Sequence, residues 1–231
     1  MTWVCDSSSI GSRDYDRAPL LMSQSGTKKH WEQVWTQKRA DETSWFQKEP
    51  AVSLAMIERS GMAHDDALID VGGGASVLMD RLLEAGYRDI TALDVSGAAL
   101  QQARQRLGRD ASQINWIEDD VRVFEPPRRY ALWHDRAVFH FLTSAQDQKR
   151  YVENLERSVW PGGQLIIATF APEGPKKCSG LDIVQYDATS LQAALGKRWK
   201  LLEEQIDLHR TPAGREQEFG FYRLEFQNIL R

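Results

Sequence analysis

Much that would narrow the class of this protein is scarce in its 231 residues. There are two cysteines, Cys5 and Cys178, too few for a disulfide framework, so a reducing compartment is expected. No apolar run approaches the roughly 20 residues of a membrane span. The opening residues, MTWVCDSSSIGSRDYDRAPLL, lack a basic stretch followed by an apolar one and do not read as a secretory signal. Charge of one sign is also lacking: the net charge of −4 comes with no basic stripe, which argues against nucleic acid as a partner. There is no G-K-[ST] to hold a nucleoside triphosphate. The reading calls for no metal. A cytoplasmic protein is the expectation.

What is present is a regular alternation. Residues 1–27 are rich in Ser, Asp, Arg and Gly without a period, and read as a flexible tail. Residues 28–231 read as one domain, with 28–60 as a helical cap. Strands are expected at ALIDV, ITALDV, INWIEDDV, YALWHD and QLIIATF. Helices are expected at PAVSLAMIERSG, ASVLMDRLLEAG, SGAALQQARQRLG (Ser96 as N-cap), QDQKRYVENLERSVW and TSLQAALG. Two last strands, KLLEEQIDLHR and QEFGFYRLEF, flank a TPAGRE turn suited to an antiparallel hairpin. Strands alternating with helices imply a mostly parallel, doubly wound sheet with helices on both faces.

The informative segment is LIDVGGGASVLMDRLLEAGYRDITALDVS. Gly72, Gly73 and Gly74 let the chain leave the first strand sharply and let a ligand approach the backbone. Asp70 precedes them, and Asp94 ends the next strand, where a carboxylate commonly holds the two hydroxyls of a ribose. A dinucleotide would want a third glycine where Val77 stands, and Asp70 would face its phosphates. A sulfonium nucleoside carrying an amino acid has no phosphate to repel and an ammonium group that Asp70 can meet.

These residues carry a family resemblance. D-V-G-G-G-A-S, A-L-D-V-S, W-I-E-D-D-V and P-G-G-Q-L-I-I-A-T-F resemble the successive motifs of class I S-adenosylmethionine-dependent methyltransferases, from about His30 to the C-terminus. More narrowly, H-W-E-x-V-W, S-W-F-Q and W-H-D-R-A-V-F-H-F-L resemble a bacterial group of class I enzymes. The resemblance implies a Rossmann-like sheet of seven strands, the last antiparallel, and S-adenosylmethionine as cofactor with S-adenosylhomocysteine as product. It implies Gly72 and Gly74 beneath the methionine moiety and Asp94, beside Val95, on the ribose. Asp120 would meet the adenine amino group with Val121 flanking it, and Asp119 competes for that role. Ser76 stands where many members carry another glycine.

Methyl transfer needs acceptor and methyl held in line, and a proton acceptor where the nucleophile is protonated. The fourth strand delivers His134, Asp135 and Arg136, with His140 about a turn later. Either histidine could act as base, Asp135 could orient one of them, and Arg136 could bind an anionic acceptor. His134 is also a candidate for touching the cofactor. Alternatively Asp135–Arg136 is a structural pair and His140 a core residue. Trp31 and Trp35, four apart, read as one packed helix face, and Trp45 as the lid residue over the cofactor. The D-R pair faintly resembles thiopurine-type small-molecule methyltransferases, and the strand end also resembles the pattern of lysine-directed protein methyltransferases. EPPRRY precedes the fourth strand, unlike the [DNS]-P-P-[YFW] of amino-methylating nucleic-acid enzymes. With no added docking domain, a small-molecule acceptor ranks first and protein lysine second. A nicotinamide oxidoreductase and a non-catalytic cofactor-binding protein are the remaining alternatives.

Overall fold

The computed structural model describes residues 17–228. Of the stretch expected as a tail, residues 1–16, with Cys5, lie outside the described residues, and 17–27 form the first part of helix α1 (Arg17–Gln37). A 3-10 turn at Ala40–Glu42 leads to α2 (Ala51–Arg59), which starts behind Pro50. The alternation then follows: β1 (Leu68–Val71), α3 (Leu78–Glu84), β2 (Ile90–Asp94), α4 (Gly97–Leu107), β3 (Ile114–Glu118), β4 (Tyr130–Arg136), α5 (Ala145–Ser158) and β5 (Val159–Phe170). The insertion after β5 holds a small hairpin, β6 (Lys177–Cys178) with β7 (Leu181–Asp182). Helix α6 (Ala188–Leu195) and the long hairpin β8 (Trp199–Arg210) and β9 (Glu216–Phe226) complete the domain.

The main sheet has seven strands in the order β3-β2-β1-β4-β5-β9-β8. The pairs from β3 to β5 are parallel, and β9 runs antiparallel to both β5 and β8. This is the Rossmann-like, doubly wound architecture expected from the sequence. Successive residues of β1 and β4 face opposite sides, as strand geometry requires. Ile69, Val71 and Trp133 join Tyr151 and Leu155 of α5 and Leu191 of α6 on one face. Leu68 and Leu132 join Met56 of α2, Met79 of α3 and Leu100 of α4 on the other. All four residues of β1 are buried, as expected for a strand covered on both faces.

Helix starts follow the side chains available. Ser96 accepts from Ala99 N–H at 3.2 Å, and Ser144 from Asp147 N–H at 3.1 Å, each satisfying one donor of a first turn. Two strand boundaries differ from expectation by more than one residue. β3 stops at Glu118 instead of reaching Val121, because Asp120 turns the chain: its Oδ1 accepts from Arg122 N–H at 2.9 Å, and its carbonyl accepts from Val123 and Phe124. β5 begins at Val159 and passes through Pro161-Gly162-Gly163, with a register shift against β4 between Tyr130 and Leu132. Proline donates no ladder hydrogen bond, and Gly162 at φ 84° absorbs the irregularity.

The strand order reverses between β1 and β4. Open α/β sheets bind ligands at the carboxyl ends beside such a switch point, and the candidate residues gather there.

Candidate active site

The turn after β1 lies directly against two carboxylates. Gly72 (φ 69°) donates to Leu93 O at 2.7 Å. A Cβ on Gly73 would sit 2.5 Å from Asp70 Oδ2, and one on Gly74 (φ 23°) 2.5 Å from Asp94 Oδ2. Side chains at these positions would push into the acids, so glycine is demanded by close approach as well as by backbone conformation.

Asp70 and His134 are register partners on β1 and β4. His134 Nδ1 donates to Asp70 Oδ1 at 2.7 Å, since an ionised carboxylate only accepts. The other ring nitrogen, Nε2, then accepts from Ser53 Oγ of α2 at 2.9 Å. All three side chains are buried. Asp70 Oδ2 is left buried without a partner. A chamber of about 60 Å³ lies beside them, bordered by Gly72, Gly73 and Arg136.

Asp94 has its Oδ1 bonded to Ser96 N–H at 2.8 Å. Burial pushes its pKa up to about 7, with the charges of Asp70 and Glu32 adding to the rise and the N–H groups of Ser96 and Gly74 opposing it. The acid doublet after β3 is divided. Asp120 is committed to Arg122, at 2.9 Å to Nε and 2.6 Å to Nη2. Asp119 accepts from Asp120 N–H at 2.8 Å, and burial raises its pKa above the usual carboxylate range. Of the two, Asp119 is the acid not tied up in an ion pair. Asp119 and Asp120 both border the same cavity, along with Val95 and Val121.

That cavity measures about 410 Å³ and runs across the switch point, within the range of small-molecule sites. Toward β2 and β3 it meets Asp94 and Asp119; toward β4 and β5 it meets Arg136, Val138, Phe141, Cys178 and Leu181. Helix α1 roofs it with Trp31 and Trp35. Trp45 meets Trp31 and Trp35 edge to face, at 5.8 Å and 5.9 Å between ring centres, and Trp31 meets Phe141 at 5.2 Å. Trp31 and Trp35 are thus a packed helix face, as expected, and also cavity wall.

The roof is fastened at several points. Glu32 Oε1 accepts from Gly97 N–H at 2.6 Å, a carboxylate on the start of α4, where the helix dipole favours negative charge. Gln102 donates to the carbonyls of Trp35 at 2.7 Å and Lys38 at 2.8 Å, and Lys28 pairs with Glu118. The Trp45 segment is held by its backbone: His209 Nε2 donates to Ser44 O at 2.8 Å, and Arg136 Nη1 to Trp45 O at 2.9 Å.

The donor set fits S-adenosylmethionine. The unpartnered Asp70 Oδ2 suits an ammonium group, the side-chain-free surface of Gly72–Gly74 suits close passage of the methionine part, and Asp94 suits a ribose diol. The aromatic roof suits a cation.

The segment after Trp133 is rearranged relative to expectation. Asp135 orients neither histidine. It faces the opposite side of the sheet from His134 and accepts from Val138 N–H (2.8 Å), Phe139 N–H (3.1 Å) and Tyr151 Oη (2.6 Å). It fixes the turn after β4, and burial pushes its pKa up to about 6. His140 does not border the cavity; it lies between Phe141 and Phe170 with both ring nitrogens unpartnered. Burial, with Arg136 adding, pushes its pKa down to about 3. Nor is Asp135–Arg136 an ion pair: the guanidinium lies over the Phe219 ring at 4.6 Å, and its Nε and Nη2 are buried without partners. Sequence reasoning did not find Ser53, Glu32 or His209. Glu32 was visible inside the H-W-E motif, but Ser53 and His209 carry no local signal, since their partners lie 81 and 165 positions away.

Residues 68–163 match the family described as Methyltransferase domain. The match covers β1 to β4 and the turns after them, and leaves out the α1 roof, Trp45 and the β6–β7 hairpin. Malonyl-[acyl-carrier protein] O-methyltransferase 1 of Ilyobacter polytropus is 29% identical over 104 residues, 45% of this chain and 37% of that protein. The human eEF1A lysine and N-terminal methyltransferase is 20% identical over 165 residues, 66% of this chain and 23% of that protein. Less than half the length of these curated relatives is therefore matched. Among solved structures, the N-methyltransferase NodS of Bradyrhizobium japonicum, in complex with S-adenosylhomocysteine, superposes with a TM-score of 0.64 at 16% identity. That likeness covers 84% of this chain and 97% of that one. The enzyme class and cofactor expected from the sequence, methyl transfer from S-adenosylmethionine, are borne out for the matched domain. No helix of the described residues is long and apolar enough to cross a membrane.

Proposed function

We propose that the whole protein transfers the methyl group of S-adenosylmethionine to a nucleophilic atom of a small molecule, in the cytoplasm. The reading rests on one observation. A single cavity of about 410 Å³ runs from Asp94 to the Arg136 side beneath the indoles of α1, so cofactor and acceptor share a roofed space of limited volume. Asp94 holds the ribose, Asp119 the adenine amino group, and Asp70, aligned by His134 and Ser53, the ammonium group. Gly72–Gly74 pass beneath the methionine moiety, and Val95 and Val121 flank the adenosine. Arg136 belongs to the acceptor side. The bound cofactor supplies an electrophilic methyl on a sulfonium, a good leaving group, so the protein's task is to orient the acceptor and exclude water. The motifs at His30–Lys38 and Trp133–Leu142 support a place in the bacterial class I group they resemble.

A second reading, methylation of a protein lysine, draws on an outer groove of about 710 Å³ that shares Trp45 and Cys178 with the cavity and could receive a chain end. One experiment separates the two. The protein is incubated with methyl-tritiated S-adenosylmethionine and a cell extract split into low-mass and protein fractions. Label in the low-mass fraction is expected; label confined to protein would overturn the small-molecule reading.

A further inference from the structure

The acceptor side of the cavity combines an unusual cation with the lack of a usable base. Arg136 ends β4 with one nitrogen committed, Nη1 to Trp45 O at 2.9 Å, while Nε and Nη2 are buried and unpartnered. Those two nitrogens form the edge of a guanidinium that matches the two oxygens of a carboxylate. The charges of Asp207 and Asp70 act on the group through space, and neither hydrogen-bonds to it. A buried cation without a bonded counter-ion is costly to the fold, and a ligand anion removes that cost.

Among the described residues on this side, each candidate base is engaged or turned away, including Asp147, which pairs with Arg122 at 3.4 Å and Arg150 at 3.6 Å. His134 is bonded at both ring nitrogens, to Asp70 and Ser53. His140 lies behind the wall, and Asp135 is turned toward Tyr151 on the other face. The Cys178 thiol is buried among apolar groups, which pushes its pKa up to about 12. Asp182 is largely exposed and paired with Lys177 at 2.7 Å. An alcohol or an ammonium acceptor would bring its proton into the site and find no base. The remaining wall, Trp31, Trp45, Val138, Phe141 and Leu181, is apolar and aromatic.

We infer that the acceptor is a carboxylic acid with an apolar or aromatic body, gripped by the Nε–Nη2 edge of Arg136 and methylated on a carboxylate oxygen. This rests on the methyltransferase reading above and names its substrate class. The oxygen–carbon bond forms as the sulfur–carbon bond breaks, the electron pair stays on sulfur, and a methyl ester and neutral S-adenosylhomocysteine result. No proton is transferred, so no base is required.

The test uses the full chain with methyl-tritiated S-adenosylmethionine, a panel of aryl- and alkyl-acetic acids, and a low-mass cell extract. Methyl esters release volatile methanol in mild alkali, whereas methyl amines, ethers and thioethers do not. Base-volatile label is expected, falling about 100-fold in Arg136→Gln and less in Arg136→Lys, which keeps charge but loses the fork. Both variants should bind S-adenosylhomocysteine within about three-fold of the unmodified protein, which also shows that they are folded. Label that resists alkali, or no base-volatile label from a protein that binds S-adenosylhomocysteine, overturns the inference and leaves the methyltransferase reading standing. A tenfold or greater loss of S-adenosylhomocysteine affinity in Arg136→Gln, with unchanged affinity for 5′-methylthioadenosine, also overturns it: Arg136 would then hold the cofactor's own carboxylate. Failure of the unmodified protein to bind S-adenosylhomocysteine would sink the underlying reading.

Discussion

Asp70 and His134 stand side by side at the carboxyl ends of two adjacent parallel strands, and the imidazole holds one carboxylate oxygen at 2.7 Å while leaving the other free. The pair joins three layers of the domain: β1, β4 and, through Ser53, the cap helix α2. Ser53 of α2, 17 positions before Asp70, thereby shares in positioning the acid at the proposed cofactor site.

Removing the hydroxyl at the far end of this chain should be felt at both ends. Ser53→Ala leaves His134 Nε2 buried without a partner, which costs roughly 1–3 kcal/mol. Urea unfolding should report a loss of that size, and calorimetry a weaker S-adenosylhomocysteine affinity as Asp70 loses its alignment. Unchanged stability and affinity would mean that the hydrogen bond is incidental.

Cofactor affinity should depend on pH through Asp94. Its pKa is raised to about 7 in the ligand-free protein, so below that pH the group is protonated and a poorer acceptor for ribose hydroxyls. S-adenosylhomocysteine affinity is expected to rise from pH 5.5 to 8, and Asp94→Asn to flatten the profile while weakening binding by about 1–3 kcal/mol. Ligand-free stability moves the other way. The folded state binds this proton more tightly than the unfolded chain, so the contribution is full below the usual carboxylate pKa and is lost as pH rises through about 7. Thermal melts with and without ligand across this range check both signs.

Gly74→Ala should damage the site more than the fold. The added Cβ would lie 2.5 Å from Asp94 Oδ2 and 2.9 Å from Ala99 Cβ, at φ 23°. Displacement of the Asp94 carboxylate is expected to cost S-adenosylhomocysteine tenfold or more in affinity, with a smaller drop in Tm. Calorimetry on the folded variant decides, and retained affinity would remove Asp94 from the ribose contact.

His140 is expected to be dispensable for chemistry. Its two ring nitrogens are buried and unpartnered, so His140→Leu removes unsatisfied polar atoms from an aromatic pocket and should leave stability equal or higher. Turnover should persist. A loss of turnover of about 100-fold in a folded variant, seen in initial rates, would restore the histidine to the mechanism.

Much of this architecture was legible in the residues because it is local. The strand–glycine–acid spacing of Asp70, Gly72–Gly74 and Asp94, the Ser96 cap and the TPAGRE hairpin each depend on a few neighbouring positions, and each was expected where it occurs. The parallel order of the central strands followed from helices alternating with strands. What only the tertiary structure decided depends on which elements meet. Period-two alternation puts His134 and Asp135 on opposite faces, but whether α2 or α5 covers a given face is set by chain routing. That routing gave His134 to Asp70 and Ser53, and Asp135 to Tyr151. The roof likewise turned on Glu32 meeting Gly97 N–H across 65 positions of chain. Contacts between residues so far apart are made by packing, for which no local pattern in the sequence is required.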